Sequence, residues 1–261
     1  MFQTSVLMSG SKGNAILIRT AETAILLDAG VSGKAIFAAL DSLKISRHQL
    51  KGIVVSHEHG DHVSGVGVVA RALQIPVYIN EETYAQSAHK MGKLPLQPHF
   101  FETGATFEIG NLLVHPFTSS HDAVDSCNFT FRKDGDDERK LGVATDLGYP
   151  TRLATEKLKH CSTLVLESNH DVEMLMNGPY DWALKQRVKS NHGHLSNEQA
   201  AMLVQDIMHH RLENIVLAHI SETNNHPRLA LETMQNRLDA INKSPRLYLA
   251  AQHEHTPLID I

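Results

Sequence analysis

The chain is poor in cysteine, in aromatic residues and in positive charge, and each shortage narrows what it can be. Its two cysteines, Cys127 and Cys161, have no second ligand at metal spacing and read as reduced thiols, not as a disulfide framework. No stretch approaches the roughly eighteen unbroken apolar residues of a membrane span, so no membrane partner is expected. The start, Met1-Phe2-Gln3-Thr4-Ser5, shows no basic leader ahead of a long apolar core, which points away from secretion and towards the cytoplasm. Lysine and arginine number 24 against 29 acidic residues, a net charge of −5 and the wrong sign for gripping nucleic acid by bulk electrostatics. Divalent cations at a site would reverse that field locally. No Pro-, Gly- or Ser-rich linker and no repeat divides the 261 residues, so one α/β domain over 1–261 is expected.

What the chain has in excess is histidine, 18 in all, and the densest group is Ser56-His57-Glu58-His59-Gly60-Asp61-His62. Three imidazoles and a carboxylate follow the apolar run Ile53-Val54-Val55 at i, i+2, i+4 and i+5. A strand cannot bring four such groups to one point, because alternate side chains leave opposite faces. A tight loop can, and Gly60 is the expected source of its freedom. Imidazole and carboxylate are ligands for zinc, manganese or iron, and there are too many here for one closed structural site, so a pair of ions is expected.

The rest of the pattern is α/β. Asn14–Thr20 and Thr23–Asp28 predict a hairpin, as do Asn128–Lys133 and Lys140–Thr145 around an acidic turn. Helices are expected over Val63–Leu73, Thr151–Lys159 and Arg228–Ile241, and over most of Val172–His210 with a break near Ser190–Leu195. Thr163–Glu167 and Asn214–Ala218 read as buried strands, and Leu247–Ala250 as a final buried one. Four apolar strands then end in a ligand-type residue: Ile53–Val55 in His57, Val114–Phe117 in His121, Leu141–Thr145 in Asp146 and Ile215–Ala218 in His219. Carboxyl ends of strands are where α/β sheets place their sites.

With His57-x-His59-x-Asp61-His62 followed by His121, Asp146 and His219, the chain resembles the metallo-β-lactamase superfamily. Further segments look like its bacterial YycJ/WalJ branch: Ser9-Gly10-Ser11-Lys12-Gly13-Asn14, His121-Asp122-Ala123, Ala144-Thr145-Asp146-Leu147-Gly148, Glu167-Ser168-Asn169-His170-Asp171, Gly193-His194-Leu195-Ser196-Asn197 and Ala218-His219-Ile220-Ser221. The resemblance implies a four-layer αββα sandwich, two divalent metal ions (zinc or manganese, with iron compatible) and 5′→3′ exonuclease activity on double-stranded DNA. It further implies one metal on His57, His59 and His121, a second on Asp61, His62 and His219, and Asp146 bridging them. One departure stands out: a glycine is expected next to Cys127, where Asn128 stands, and an altered substrate channel is the expected consequence.

A phosphodiester resists attack because it is an anion with a poor leaving group. Two cations roughly 3.5–4 Å apart lower the pKa of a shared water and stabilise the phosphoryl and leaving oxygens. Asp61 is expected both to bind a metal and to orient the resulting hydroxide. His194 is the expected general acid or phosphate donor, since imidazole titrates near neutrality. His170 is expected to face the cleft, Lys185 and Arg187 to lie on a helix positioned for DNA backbone contact, and Ser196 or Asn197 to cap the next helix near substrate. Lys12 lacks a phosphate-loop pattern around it. The same centre would also suit a thioester or lactone hydrolase or an RNA-processing nuclease. DNA is preferred because the branch-like segments lie beside the proposed metals, whereas net charge averages over the whole surface.

Overall fold

Along the central strands of the computed structural model, which describes residues 1–261, successive apolar side chains leave to opposite sides and both sides are buried. Strands covered on both faces read as unbroken apolar runs, as these do. One sheet joins β1 (Phe2–Met8), β2 (Ala15–Thr20), β3 (Ala24–Leu27), β4 (Leu50–Val54), β5 (Val77–Ile79) and β6 (His99–Phe100) in that order, and β14 (Ile259–Asp260) pairs outside β1. The other runs in order through β7 (Phe107–Ile109), β8 (Leu112–Thr118), β9 (Cys127–Lys133), β10 (Leu141–Ala144), β11 (Thr163–Glu167), β12 (Asn214–Ala218) and β13 (Arg246–Leu249). Each sheet begins antiparallel and becomes parallel, at the β3–β4 pair in the first and the β10–β11 pair in the second. Both predicted hairpins are present, with Ile18 opposite Ile25 and Thr130 opposite Gly142.

The period of two sorts the core. Ile16, Ile18, Ile25 and Leu27 meet Val114, Phe129, Val143, Val165 and Val216 between the sheets. Their neighbours Leu17, Leu26 and Ile53 pack outward against Ile36 and Leu40 of α1 (Gly33–Ser42) and Val66 and Val69 of α3 (Val66–Leu73). On the far side Leu164, Leu166, Ile215 and Leu217 meet Leu158 of α5 (Arg152–Leu158), Leu203 and Val204 of α8 (Asn197–Ile207), and Met234 and Leu238 of α9 (Pro227–Ala240). Helices therefore cover both outer faces, which gives the αββα sandwich. The remaining helices are α2 (Gly60–Val63), α4 (Glu81–Met91), α6 (Val172–Asn177) and α7 (Trp182–Lys189). No helix is long and apolar enough to cross a membrane.

Three expectations change. The helix predicted over Val63–Leu73 is broken into α2 and α3, because Gly65 turns its N–H to Ala29 O (2.7 Å) and lies so close to Val31 that a Cβ would sit 2.0 Å from its carbonyl oxygen. The stretch Val172–His210 breaks a second time, at Gly178–Asp181, where Asp181 caps α7. The strand expected to be final and buried is a half-exposed edge strand, β13, and β14 follows it, tying Asp260 back to Gln3.

Gly60 is also not what makes the histidine loop tight. It begins α2, and an added Cβ would meet only Ser64 Oγ at 3.7 Å. The glycine that the loop requires is Gly30, after β3, where a Cβ would lie 1.5 Å from Asp61 O. Gly30→Ala is therefore expected to cost about 3 kcal/mol or more in urea denaturation, and Gly60→Ala to stay within about 0.5 kcal/mol of the parent.

Candidate metal centre

The carboxyl ends of both sheets point to one place. After β4, a loop that bends at Glu58 carries His57 and His59, and α2 then turns Asp61 and His62 back to them. The second sheet delivers His121 beyond β8, Asp146 beyond β10, Glu167 at the end of β11 and His219 beyond β12. Asp28, Asp146 and His219 take left-handed backbone angles (φ of 60°, 53° and 52°), which swing their side chains off the strand line. Such conformations cost on the order of 1–3 kcal/mol each and persist where surrounding contacts fix them. Here those contacts are Asp28 N–H to Val54 O (2.8 Å), Ser119 Oγ–H to Asp146 O (2.6 Å) and His219 N–H to Ser9 Oγ (2.8 Å).

The donor atoms of His57, His59 and His121 lie within 4.8 Å of one another, and so do those of Asp61, His62 and His219. Asp146 reaches both groups: Oδ2 is 3.2 Å from His62 Nε2, and Oδ1 is 3.3 Å from His219 Nδ1 and 3.7 Å from His121 Nε2. Four of the five imidazoles have Nδ1 engaged by a protein oxygen. His57 uses Ser56 Oγ (2.9 Å), His62 uses Asp28 Oδ2 (2.8 Å), His121 uses Gly193 O (3.1 Å) and His219 uses Glu167 Oε1 (2.8 Å). These partners set the tautomer and leave Nε2 facing the centre. His59 instead turns Nδ1 inward, 3.1 Å from His57 Nε2 and 3.3 Å from His121 Nε2.

This donor set fits divalent cations. Nitrogens on a tetrahedral zinc, at about 2.0–2.1 Å each, stand about 3.3 Å apart, close to the 3.1 and 3.3 Å separations of the first group. Asp146 Oδ2 and His219 Nε2 are buried without a hydrogen-bond partner, a deficit that costs about 1–3 kcal/mol per group unless something else satisfies it. The electrostatics also differ between the groups. Burial, reinforced by His62, holds His57 well below the usual imidazole range, and burial lowers His121. Burial alone would do the same to His62 and His219, but Asp146, with Asp28 beside His62 and Glu167 beside His219, outweighs it. His62 is raised well above its usual value and His219 to about 9. Glu167 opposes its own burial through His194 and His219 and falls to about 2. The second group thus favours positive charge in its midst.

Around the centre is a cleft of about 350 Å³, bordered by Asp61, His121, Asp146, His194 and His219 and by a wall from Tyr180, Leu184 and Val188. His194 borders it with Nδ1 held by Glu167 Oε1 at 2.8 Å. Arg187 borders it too, but its Nε donates to Asp122 Oδ2 at 2.5 Å. Lys185 points elsewhere, donating from Nζ to Met176 O (2.8 Å). Contrary to expectation, His170, Ser196 and Asn197 are at most 3% exposed and do not face the cleft. The reason is local: His170 bridges to Ser196 in β fashion, Ser196 forms a capping box with Gln199 on α8, and Asn197 bonds Ser168 and Asn225. Asn128 likewise does not shape a channel. It is buried, donates to Ser119 Oγ (2.9 Å) and accepts from Thr145 N–H (3.1 Å), bracing the loops that carry His121 and Asp146. Lys12 is exposed and paired with Glu222.

Sequence reasoning passed over three residues that hold the site. Glu167 stands at a strand's carboxyl end like the others and was legible by the same rule. Asp28 and Asn14, whose Nδ2 lies 3.3 Å from Asp61 Oδ2, gave no spacing signal.

A family model described as the β-lactamase superfamily domain matches residues 23–220, a span containing all seven candidate ligands. The chain belongs to the β-lactamase superfamily. Exodeoxyribonuclease YycJ of Bacillus anthracis is 39% identical over 236 residues, 90% of this chain and 88% of that protein. Exodeoxyribonuclease WalJ of Streptococcus pneumoniae is 36% identical, covering 100% of this chain and 98% of its own. The crystal structure of the metallo-β-lactamase fold protein YhfI from Bacillus subtilis, only 14% identical, superposes with a TM-score of 0.73 over 98% of this chain and 99% of that one, and so shares the fold. Superfamily membership implies divalent metal ions, which the donor set accommodates.

Glu167→Gln keeps the size of the side chain, but its single carbonyl oxygen cannot serve both the imidazoles on Oε1 and the Leu147 and Leu195 N–H groups on Oε2. It is expected to weaken metal binding by about 10–100-fold, read by competition with a chelating dye. Parent-like affinity would show that Glu167 does not set His219.

Proposed function

We propose that this chain is a metal-dependent phosphodiesterase that degrades DNA in the cytoplasm, a 5′→3′ double-strand exodeoxyribonuclease of repair or replication, with residues 1–261 forming one hydrolase domain. The observation that carries the proposal is the pair of three-donor groups joined by Asp146, in a chain 36–39% identical over most of its length to proteins named exodeoxyribonucleases. The pairing of β14 with β1, which brings the last residues onto the first strand, supports a single domain. Zinc or manganese, with iron compatible, would be held by His57, His59 and His121 at one position and by Asp61, His62 and His219 at the other, with Asp146 shared. When bound, such ions supply a nucleophile at neutral pH and neutralise charge on the phosphoryl group.

The protein's own groups divide the remaining work. Asp61 has a 24% exposed side chain, against 3% for Asp146, so it is the acid that can meet both a ligand and an incoming water. Its Oδ2, held by Asn14 Nδ2 at 3.3 Å, is placed to take and orient that water's proton. His194, fixed at Nδ1 by Glu167, presents Nε2 to the cleft and would hand a proton to the departing oxygen. The tight approach of the Gly193 loop to the Val188 carbonyl, where a Cβ would lie 2.1 Å away, keeps His194 over the centre.

End-labelled duplex DNA assayed with Mn²⁺ or Zn²⁺, beside an RNA substrate and a thioester panel, tests the reading. Stepwise shortening from the 5′ end is expected; thioester turnover with intact DNA would overturn it. Metal analysis of protein purified without chelator is expected to give two ions per chain, and chelation to abolish nuclease activity until metal is restored. Asp61→Ala should abolish turnover even at saturating metal. His194→Ala should retain both ions and lose about 10²–10⁴-fold in rate; full rate in that variant would remove His194 from the chemistry.

A further inference from the structure

Arg187 is the only lysine or arginine bordering the cleft, and Asp122 neutralises it. Outside the metal centre, the cleft therefore offers a polyanion no free cation. It does offer one apolar surface. Its three apolar residues come from one segment: Leu184 and Val188 lie one turn apart on one face of α7, and Tyr180 stands immediately before the α7 cap, Asp181. That face is not core: α7 has no buried residue. The helix is instead held at its edges, by Lys185 Nζ to Met176 O (2.8 Å), by Arg187 to Asp122, and by His194 N–H to Val188 O (2.9 Å). A helix held this way, with its apolar face bordering a polar cleft, is not explained by packing.

We infer that Tyr180, backed by Leu184 and Val188, forms a nucleobase-binding subsite in which the base of the terminal nucleotide stacks on the Tyr180 ring while its phosphate faces the metal centre. The inference rests on the nuclease reading above and adds how the end of a DNA strand is held. A flat aromatic ring beside short aliphatic side chains suits a planar base of any identity, because every base has a π-face. It suits an extended acyl chain poorly, since the other eleven of the fourteen bordering residues are not hydrophobic. Stacking also supplies affinity where surface charge does not, in a chain of net charge −5.

The test compares duplexes ending in an ordinary 5′ nucleotide with duplexes ending in an abasic one, on metal-loaded protein. Tyr180→Leu, which keeps apolar bulk, is expected to raise KM about tenfold on ordinary ends with little change in kcat. It should leave the abasic ends unaffected, and Tyr180→Phe should restore parent values. Trp182→Ala, 64% exposed and outside the cleft lining, is expected to change nothing. Calorimetry gives a readout apart from turnover: thymidine 5′-monophosphate should bind the parent about tenfold tighter than 2-deoxyribose 5-phosphate, and Tyr180→Leu should erase the difference. Degradation of DNA with equal KM for both ends and no effect of Tyr180→Leu would overturn the subsite and leave the nuclease reading standing. Failure to degrade any duplex would defeat both.

Discussion

Four imidazoles at the centre are each tied down by Nδ1, and everything else about the site follows from that restraint. A free imidazole can turn either nitrogen to a ligand and can rotate away from it. With Nδ1 bonded to Ser56 Oγ, Asp28, Gly193 O or Glu167, the ring plane and the tautomer are set together and Nε2 has one direction to point. The restraining oxygens are themselves restrained. Ser56 donates both its N–H and its hydroxyl to Asp28, and Glu167 accepts backbone N–H groups from Leu147 and Leu195 as well as both histidines. Two fully buried carboxylates thus organise the imidazoles from behind, one in each sheet.

Burying carboxylates is expensive unless positive charge answers them. The second donor group supplies the answer locally, which is why His62 and His219 are raised despite full burial while His57 and His121 are lowered. One side of the centre is therefore an all-imidazole set in which burial holds His57 and His121 low, and the other is carboxylate-rich and draws cations. The asymmetry comes from where the acids sit, since Asp61, Asp28 and Glu167 lie around the second group and Asp146 lies between the two. A global charge of −5 says nothing of this, because its effect is averaged over the surface whereas the site's charges are desolvated and close.

The α/β class and the gathering of ligand-type residues were legible from unbroken apolar runs and the chemistry at their carboxyl ends, whereas the αββα sandwich and the division of the seven ligands followed from the resemblance to the metallo-β-lactamase superfamily. Glu167 obeyed the same rule but was hidden by its neighbours, since Ser168-Asn169-His170-Asp171 offered more conspicuous polar residues further along the loop. Several of those residues, with Ser196, are taken up by caps and loop bonds: Asp171 caps α6, Ser196 caps α8, Asn169 donates to His219 O, and Ser168 donates to Asn197 Oδ1. A polar side chain next to a site in sequence is as often consumed by a cap or a bridge as offered to a ligand, and spacing does not separate the two. Gly30 shows the complementary limit. Its need to be glycine comes from Asp61, 31 positions on, and no local pattern records a close approach between distant backbones. The contacts of Asn14 and Asp28 were hidden for the same reason: their partners, Asp61 and His62, lie far along the chain, beyond the β3–β4 crossover.

The centre belongs to neither sheet alone. The first sheet supplies His57, His59, Asp61 and His62, and the second supplies His121, Asp146 and His219, so each donor group and the residue between them depend on the two sheets meeting in one register. The seam is stitched at the active edge by Cys127 N–H to Ser56 O (3.1 Å) and His219 N–H to Ser9 Oγ (2.8 Å), and nearby the Gly-rich loop is fixed by Asn14 N–H to Asp61 O (2.8 Å). An ion held by ligands from both sides of this seam is a further cross-link that the unfolded chain cannot reproduce, so its binding energy adds directly to the stability of the sandwich. Strain at Asp28, Asp146 and His219 fits this account. Left-handed turns at strand ends cost on the order of 1–3 kcal/mol each, and they are what convert two rows of strand termini into a single point of convergence.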